Sequence, residues 1–78
     1  MEITLIIPAK NESESLPKVL DELKDFNFEI IVILRNEDKS TIQSISNYKI
    51  QIVFQDAFGY GDALIKGINS VKTKYFCI

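Results

Sequence analysis

The sequence predicts an α/β domain built on a parallel sheet with helices on both faces. Three observations carry that expectation. Short, nearly continuous apolar runs recur along the chain, starting with Ile3–Ile7; strands covered on both faces read this way. Segments with apolar residues at helical spacing separate those runs. The connections are short, so the order is β-α-β-α-β-α-β, with right-handed crossovers. The natural strand order for such a unit is 3-2-1-4, and all 78 residues form a single domain.

Each element has its own signal. Ile3–Ile7 is the first strand, bounded by Pro8. Ser13 to Phe26 follows as a helix, with Leu16, Val19, Leu20, Leu23 and Phe26 in one stripe. Ser13 or Ser15 is placed to cap it, and Pro17 sits in the first turn, where a missing N–H costs nothing. Phe28–Leu34 is the second strand, and a short helix over Thr41–Ser46, capped by Ser40, turns Ile42 and Ile45 inward. Ile50–Phe54 is the third strand. A loop over Gln55–Tyr60 leads to a helix over Gly61–Val71, whose buried stripe reads Leu64, Ile65, Ile68 and Val71. Lys74–Ile78 is the fourth strand.

Composition removes several function classes. The apolar fraction of 46% and charged fraction of 26% are those of an ordinary globular domain, not a disordered chain. A formal charge of −2 leaves no basic footprint for nucleic acid. There is no histidine, which removes Ser-His-Asp triads, Cys-His pairs and most zinc sites. The one cysteine, Cys77, lies in an apolar run and reads as a buried thiol. Met1-Glu2 is followed by a β-rich run with no basic leader, and the longest apolar run, Ile30 to Leu34, is far short of a membrane span. The expectation is a cytoplasmic protein.

Ligands of such sheets bind beyond the carboxyl ends of the strands, where the strand order reverses. That rule gathers Pro8–Glu12, Leu34–Ser40 and Gln55–Gly61 around one crevice. Two readings are open here: Asn11 and Glu12 are turn and capping residues, or the Glu12 carboxylate, near a helix N-terminus, accepts hydrogen bonds from a base or ribose. The Gly59-Tyr60-Gly61 stretch lets the backbone come close to a ligand or a neighbouring strand. It is not a P-loop, since no Gly-Lys-Ser/Thr follows, and Pro8-Ala9 after the first strand is not a dinucleotide fingerprint. Gly67, inside the helix, is expected to permit close helix–sheet contact.

The strand-to-Pro8-Ala9-Lys10-Asn11-Glu12 opening and the Gly59-x-Gly61-x-Ala63-Leu64-x-x-Gly67 helix start resemble the family 2 glycosyltransferases, nucleotide-sugar enzymes of the GT-A fold. The resemblance implies the Rossmann-like N-terminal half of that fold. It also implies nucleotide contacts at Pro8, Ala9, Glu12 and Ile33, with Gly61 near the phosphates. One loop departs from the pattern. Glu29-Ile30-Ile31-Val32-Ile33-Leu34-Arg35 puts Leu34 and Arg35 where the family carries an acidic pair, the first member of which binds the base. Leucine accepts no hydrogen bond and Arg35 reverses the charge; Glu37 or Asp38 is a substitute if the alignment slips. Leu34 is equally read as an extension of the strand's packing.

The resemblance covers essentially the whole chain but only about the first third of a typical catalytic domain. In the family, a strand like Lys74–Ile78 leads into an Asp-x-Asp motif that holds Mg²⁺ or Mn²⁺ against the donor diphosphate. The 78 residues include neither that motif nor the catalytic base, so no catalytic or metal residue is assigned. The expected function is the donor-binding portion of a glycosyltransferase taking a UDP- or GDP-linked sugar, inactive alone. The alternative is a non-catalytic α/β interaction module derived from a transferase fold. It would pair with a partner chain, or with itself, through the terminal edge strand, where Phe76 and Ile78 are partly exposed. Other Rossmann-like enzymes, including nucleotidyltransferases, fit less well because they carry a glycine-rich loop after the first strand.

Overall fold

A computed structural model of the chain describes residues 3–55 and 59–78, and only the backbone of Tyr60. Strands β1 (Ile3–Pro8), β2 (Glu29–Leu34), β3 (Gln51–Phe54) and β4 (Tyr75–Cys77) alternate with helices α1 (Ser15–Leu23), α2 (Lys39–Ser44) and α3 (Tyr60–Asn69). The four strands form one sheet in the order β3-β2-β1-β4. All three pairings are parallel, as the alternation of strands and helices requires. Ile6 stands opposite Ile31, Val32 opposite Ile52 and Thr4 opposite Phe76.

Side chains of β2 alternate between two cores. Val32 and Leu34 join Leu16 and Leu20 of α1 and Ile45 after α2. Ile31 and Ile33 point the other way and join Ile6 and Ala63 of α3. Val32, Ile33 and Leu34 are all 0% exposed, which makes β2 the centre of the molecule. Tyr48, beyond α2, ties its segment to α1: its hydroxyl lies 2.7 Å from Asp21 Oδ1 and 3.1 Å from the Pro17 carbonyl. The hydrogen bond to Asp21, followed by burial and the carboxylate's charge, raises the Tyr48 pKa.

Several boundaries differ from the sequence-based expectation. The N-cap of α1 is Glu14 and it makes no side-chain capping bond. The Leu16 N–H already bonds the Glu12 carbonyl at 2.9 Å, so the backbone is turning before Ser15 and supplies its own acceptor. Ser15 is the first helical residue and its hydroxyl donates to the Glu12 carboxylate. The helix stops at Leu23; Phe26 lies beyond it, exposed and stacked on Phe28. Val19, at the stripe's margin, is also exposed. Helix α2 begins after Asp38, two residues earlier than predicted, so Ser40 lies inside its first turn.

The largest correction concerns α3. Its buried residues among those described are Ala63 and Gly67, whereas Ile65 is 61% exposed and Ile68 40%. The helix lies too close to the sheet for large side chains between them. A Cβ on Gly67 would stand 2.5 Å from Ile6 Cγ2, well inside contact distance. Gly67 therefore has the close-packing role expected of it, and the bulky residues are displaced to the flanks. Cys77 is exposed, not buried, because β4 is an edge strand of which every residue is exposed. Phe76 and Ile78 are exposed as expected. No described helix is long and apolar enough to cross a membrane.

Candidate functional site

The carboxyl ends of β1, β2 and β3 open onto one crevice of about 600 Å³. Its described walls come from the three predicted loops: Pro8 to Glu12, then Arg35, Glu37 and Asp38, then Gln55, Gly59 and Ala63. Residues 56–58 of the third loop lie outside the described residues. The position follows from topology. β1 and β2 send their chains to helices on one face, β3 sends its chain to α3 on the other, and a gap opens where the helices diverge.

The first loop is held by backbone and side-chain bonds. Ala9 N–H donates to the Ile33 carbonyl at 2.9 Å, extending the β1–β2 ladder to the crevice floor. Asn11 has φ 53°, a left-handed conformation that asparagine tolerates better than most residues. Its N–H donates to Asp38 Oδ2 at 2.8 Å, and the next N–H, of Glu12, donates to Thr41 Oγ1 at 2.9 Å. Asn11 and Glu12 therefore do act as turn residues, and the same geometry leaves both on the crevice wall.

The second loop carries the charges. Burial pushes the Asp38 carboxyl up, but the Asn11 N–H and the nearby Thr41 and Ser40 groups outweigh it and hold its pKa below the ordinary value. The Asp38 carboxylate thus joins the first loop, through the Asn11 N–H, to the start of α2. Arg35 Nε and Nη2 both reach Glu37 Oε2, at 3.1 and 2.5 Å. The hydrogen bond from Arg35 lowers the Glu37 pKa. In the third loop, Gln55 Nε2 donates to the Gly59 carbonyl at 3.2 Å and approaches Asp62 Oδ2 at 3.4 Å, fixing the start of α3. Gly59 has φ 116°, which only glycine adopts readily.

Of the residues singled out in the sequence, Pro8, Ala9 and Glu12 are brought together on the wall. Ile33 lies beneath it, wholly buried in the α3-side core. Gly61 is not among the described lining residues; Gly59, two positions earlier, is. Leu34 is 0% exposed and packs with Leu16 and Leu20, so it completes the core under the second loop. Arg35, Glu37 and Asp38 all line the crevice, and the acidic character absent at Leu34-Arg35 returns two and three positions after Arg35. Asp38 and Thr41 acquire their roles only through contact with the first loop. A Ser/Thr-rich helix start gave no hint of which residues would reach across, and burial of Thr41 at 0% is a tertiary fact.

Residues 4–78 match the model of glycosyl transferase family 2. The chain belongs to this family. Among curated proteins, uncharacterized glycosyltransferases of Mycobacterium tuberculosis and Mycobacterium bovis are 30% identical to this family 2 chain over 71 residues. That alignment takes in 91% of the chain and 32% of each relative, so the chain spans about a third of their length. No solved structure matches it significantly. The family implies a divalent cation, but the described residues do not fit one. No three His, Cys, Asp or Glu side chains among them converge. The crevice carboxylates face other partners: Glu12 the Ser15 hydroxyl, Glu37 the Arg35 guanidinium and Asp38 the Asn11 N–H.

Proposed function

We propose that this chain is the donor-binding portion of a family 2 glycosyltransferase and receives the nucleotide of a UDP- or GDP-linked sugar in the crevice. The observation that carries the reading is the crevice itself, at the strand ends where the chain order reverses, in a member of this family. Pro8 and Ala9 offer an apolar floor for a base. The Glu12 carboxylate, half-buried at the rim, offers an acceptor for ribose hydroxyls. Gly59 brings backbone to the wall without a side chain. Cation-assisted departure of the diphosphate and deprotonation of the acceptor draw on groups other than these described residues, so the part played here is binding and orientation.

Titration of the ¹⁵N-labelled protein with UDP and with GDP tests this directly. Saturable shifts confined to the Ala9, Asn11, Glu12, Asp38 and Gly59 amides are expected. A folded sample whose amides do not respond to either nucleotide at millimolar concentration sinks the proposal.

A second reading, an interaction module working through the β4 edge, has its own support. Tyr75, Phe76 and Ile78 are 58, 45 and 55% exposed beside unpaired strand backbone. Sedimentation that shows a monomer at all concentrations would count against self-association through that edge.

A further inference from the structure

Two consecutive backbone N–H groups of the first crevice loop are taken by side chains of the second. Asn11 donates to Asp38 and Glu12 donates to Thr41, at 2.8 and 2.9 Å. The loop needs such support, because Asn11 is the one non-glycine residue with positive φ among those described. A left-handed residue persists where its surroundings over-determine it. Thr41 is 0% exposed and is not among the crevice's lining residues, so its side chain does not reach a ligand there. Its hydroxyl oxygen accepts from Glu12, whose carboxylate stands at the rim.

We propose that Thr41, assisted by Asp38, is a positioning residue for nucleotide binding: it fixes the Asn11-Glu12 turn and thereby the placement of the Glu12 carboxylate. The inference rests on the donor-binding reading above, since the ligand affected is that nucleotide. It extends the reading to a buried residue with no ligand contact. The physical reason is an asymmetry of hydrogen bonding. Removing the Thr41 hydroxyl while keeping its volume leaves the Glu12 N–H without its partner in a part-buried site, and the turn then opens toward water to recover one.

Thr41→Val and Thr41→Ser variants of the full chain decide the matter, with amide hydrogen exchange and UDP and GDP affinity as readouts. Thr41→Val is expected to lose protection at the Glu12 amide and to weaken nucleotide binding about tenfold. Thr41→Ser, which keeps the hydroxyl, is expected to retain both. Unchanged protection or unchanged affinity in Thr41→Val overturns the proposal, and so does an equal loss in Thr41→Ser, which would point to side-chain volume. If the unmodified chain takes neither nucleotide, the donor-binding reading falls and with it the effect on affinity. The exchange arm then reports on the turn alone. Should Thr41→Val fail to fold, Asp38→Ala carries the test through the Asn11 amide, whose protection must fall.

Discussion

The two faces of the sheet are filled by opposite means. On one, α1 and α2 meet the sheet through large side chains, with Leu16, Leu20, Val32, Leu34 and Ile45 interlocked. On the other, α3 lies alone and close, with Ala63 and Gly67 at the contact and Ile6, Ile31 and Ile33 beneath. The first core is built from volume and the second from the absence of volume. Their tolerances should therefore be reversed: the first is damaged by shrinking a residue, the second by enlarging one.

The sharpest break comes at Leu34. Leu34→Asp restores the acid that most relatives of this type are expected to carry, but it places a carboxylate in a fully buried site without a partner. The cost is about 3–5 kcal/mol or more, comparable with the whole stability of so small a domain. Circular dichroism and urea titration should show an unfolded or barely folded chain; a stable one would mean that the core under α1 and α2 opens to water at Leu34. Leu20→Ala comes next, at about 2–5 kcal/mol from lost burial and cavity formation. Gly67→Ala tests the reverse rule. The helix itself gains up to about 1 kcal/mol from alanine, whereas overpacking against Ile6 costs about 1–3 kcal/mol. A net loss of stability is expected, and a net gain would mean that α3 moves away from the sheet freely.

A smaller effect follows from acid. The Asp38 pKa is lowered in the folded chain, so its contribution is fully present above the ordinary value of 3.8 and fades as pH falls through the lower folded value. Protonation should loosen the crevice end of the α1 and α2 face first. Near pH 3 the protection of the Asn11 amide, taken relative to its intrinsic exchange rate, is expected to fall before protection in α3 does, and simultaneous loss would contradict the assignment. Least of all, Ile65→Ser should change stability by no more than about 0.5 kcal/mol, since this residue lies outside both cores.

That last residue also marks how far the sequence could be read. Strand positions, strand order and the three-loop crevice follow from the alternation of apolar runs and helical stripes, because a parallel sheet admits few arrangements. Periodicity failed at α3 because it registers where large apolar residues are, and here the buried positions are small. The stripe through Leu64, Ile65 and Ile68 is real in the sequence and lies largely beside the contact. Leu34 was legible as packing, but Thr41 was not legible as a support for Glu12. The bond that defines it joins residues 29 positions apart, and no local pattern encodes such a partnership. Cys77 misled for another reason: an apolar run signals burial only where something lies on both sides of the strand.

The central place of β1 has a consequence in time. β1 pairs with β2 on one side and with β4 on the other, and Thr4 bonds Thr73 at 2.6 Å across 69 positions of chain. No hairpin can bring parallel neighbours together, so each pairing waits for its crossover to be made, and distant pairings slow folding. At ordinary rates of translation, β2 is complete a few seconds before β4 emerges. Throughout that interval the edge of β1 that β4 will occupy remains an open template, so β1, made well before β4, is among the last of the four strands to be sealed.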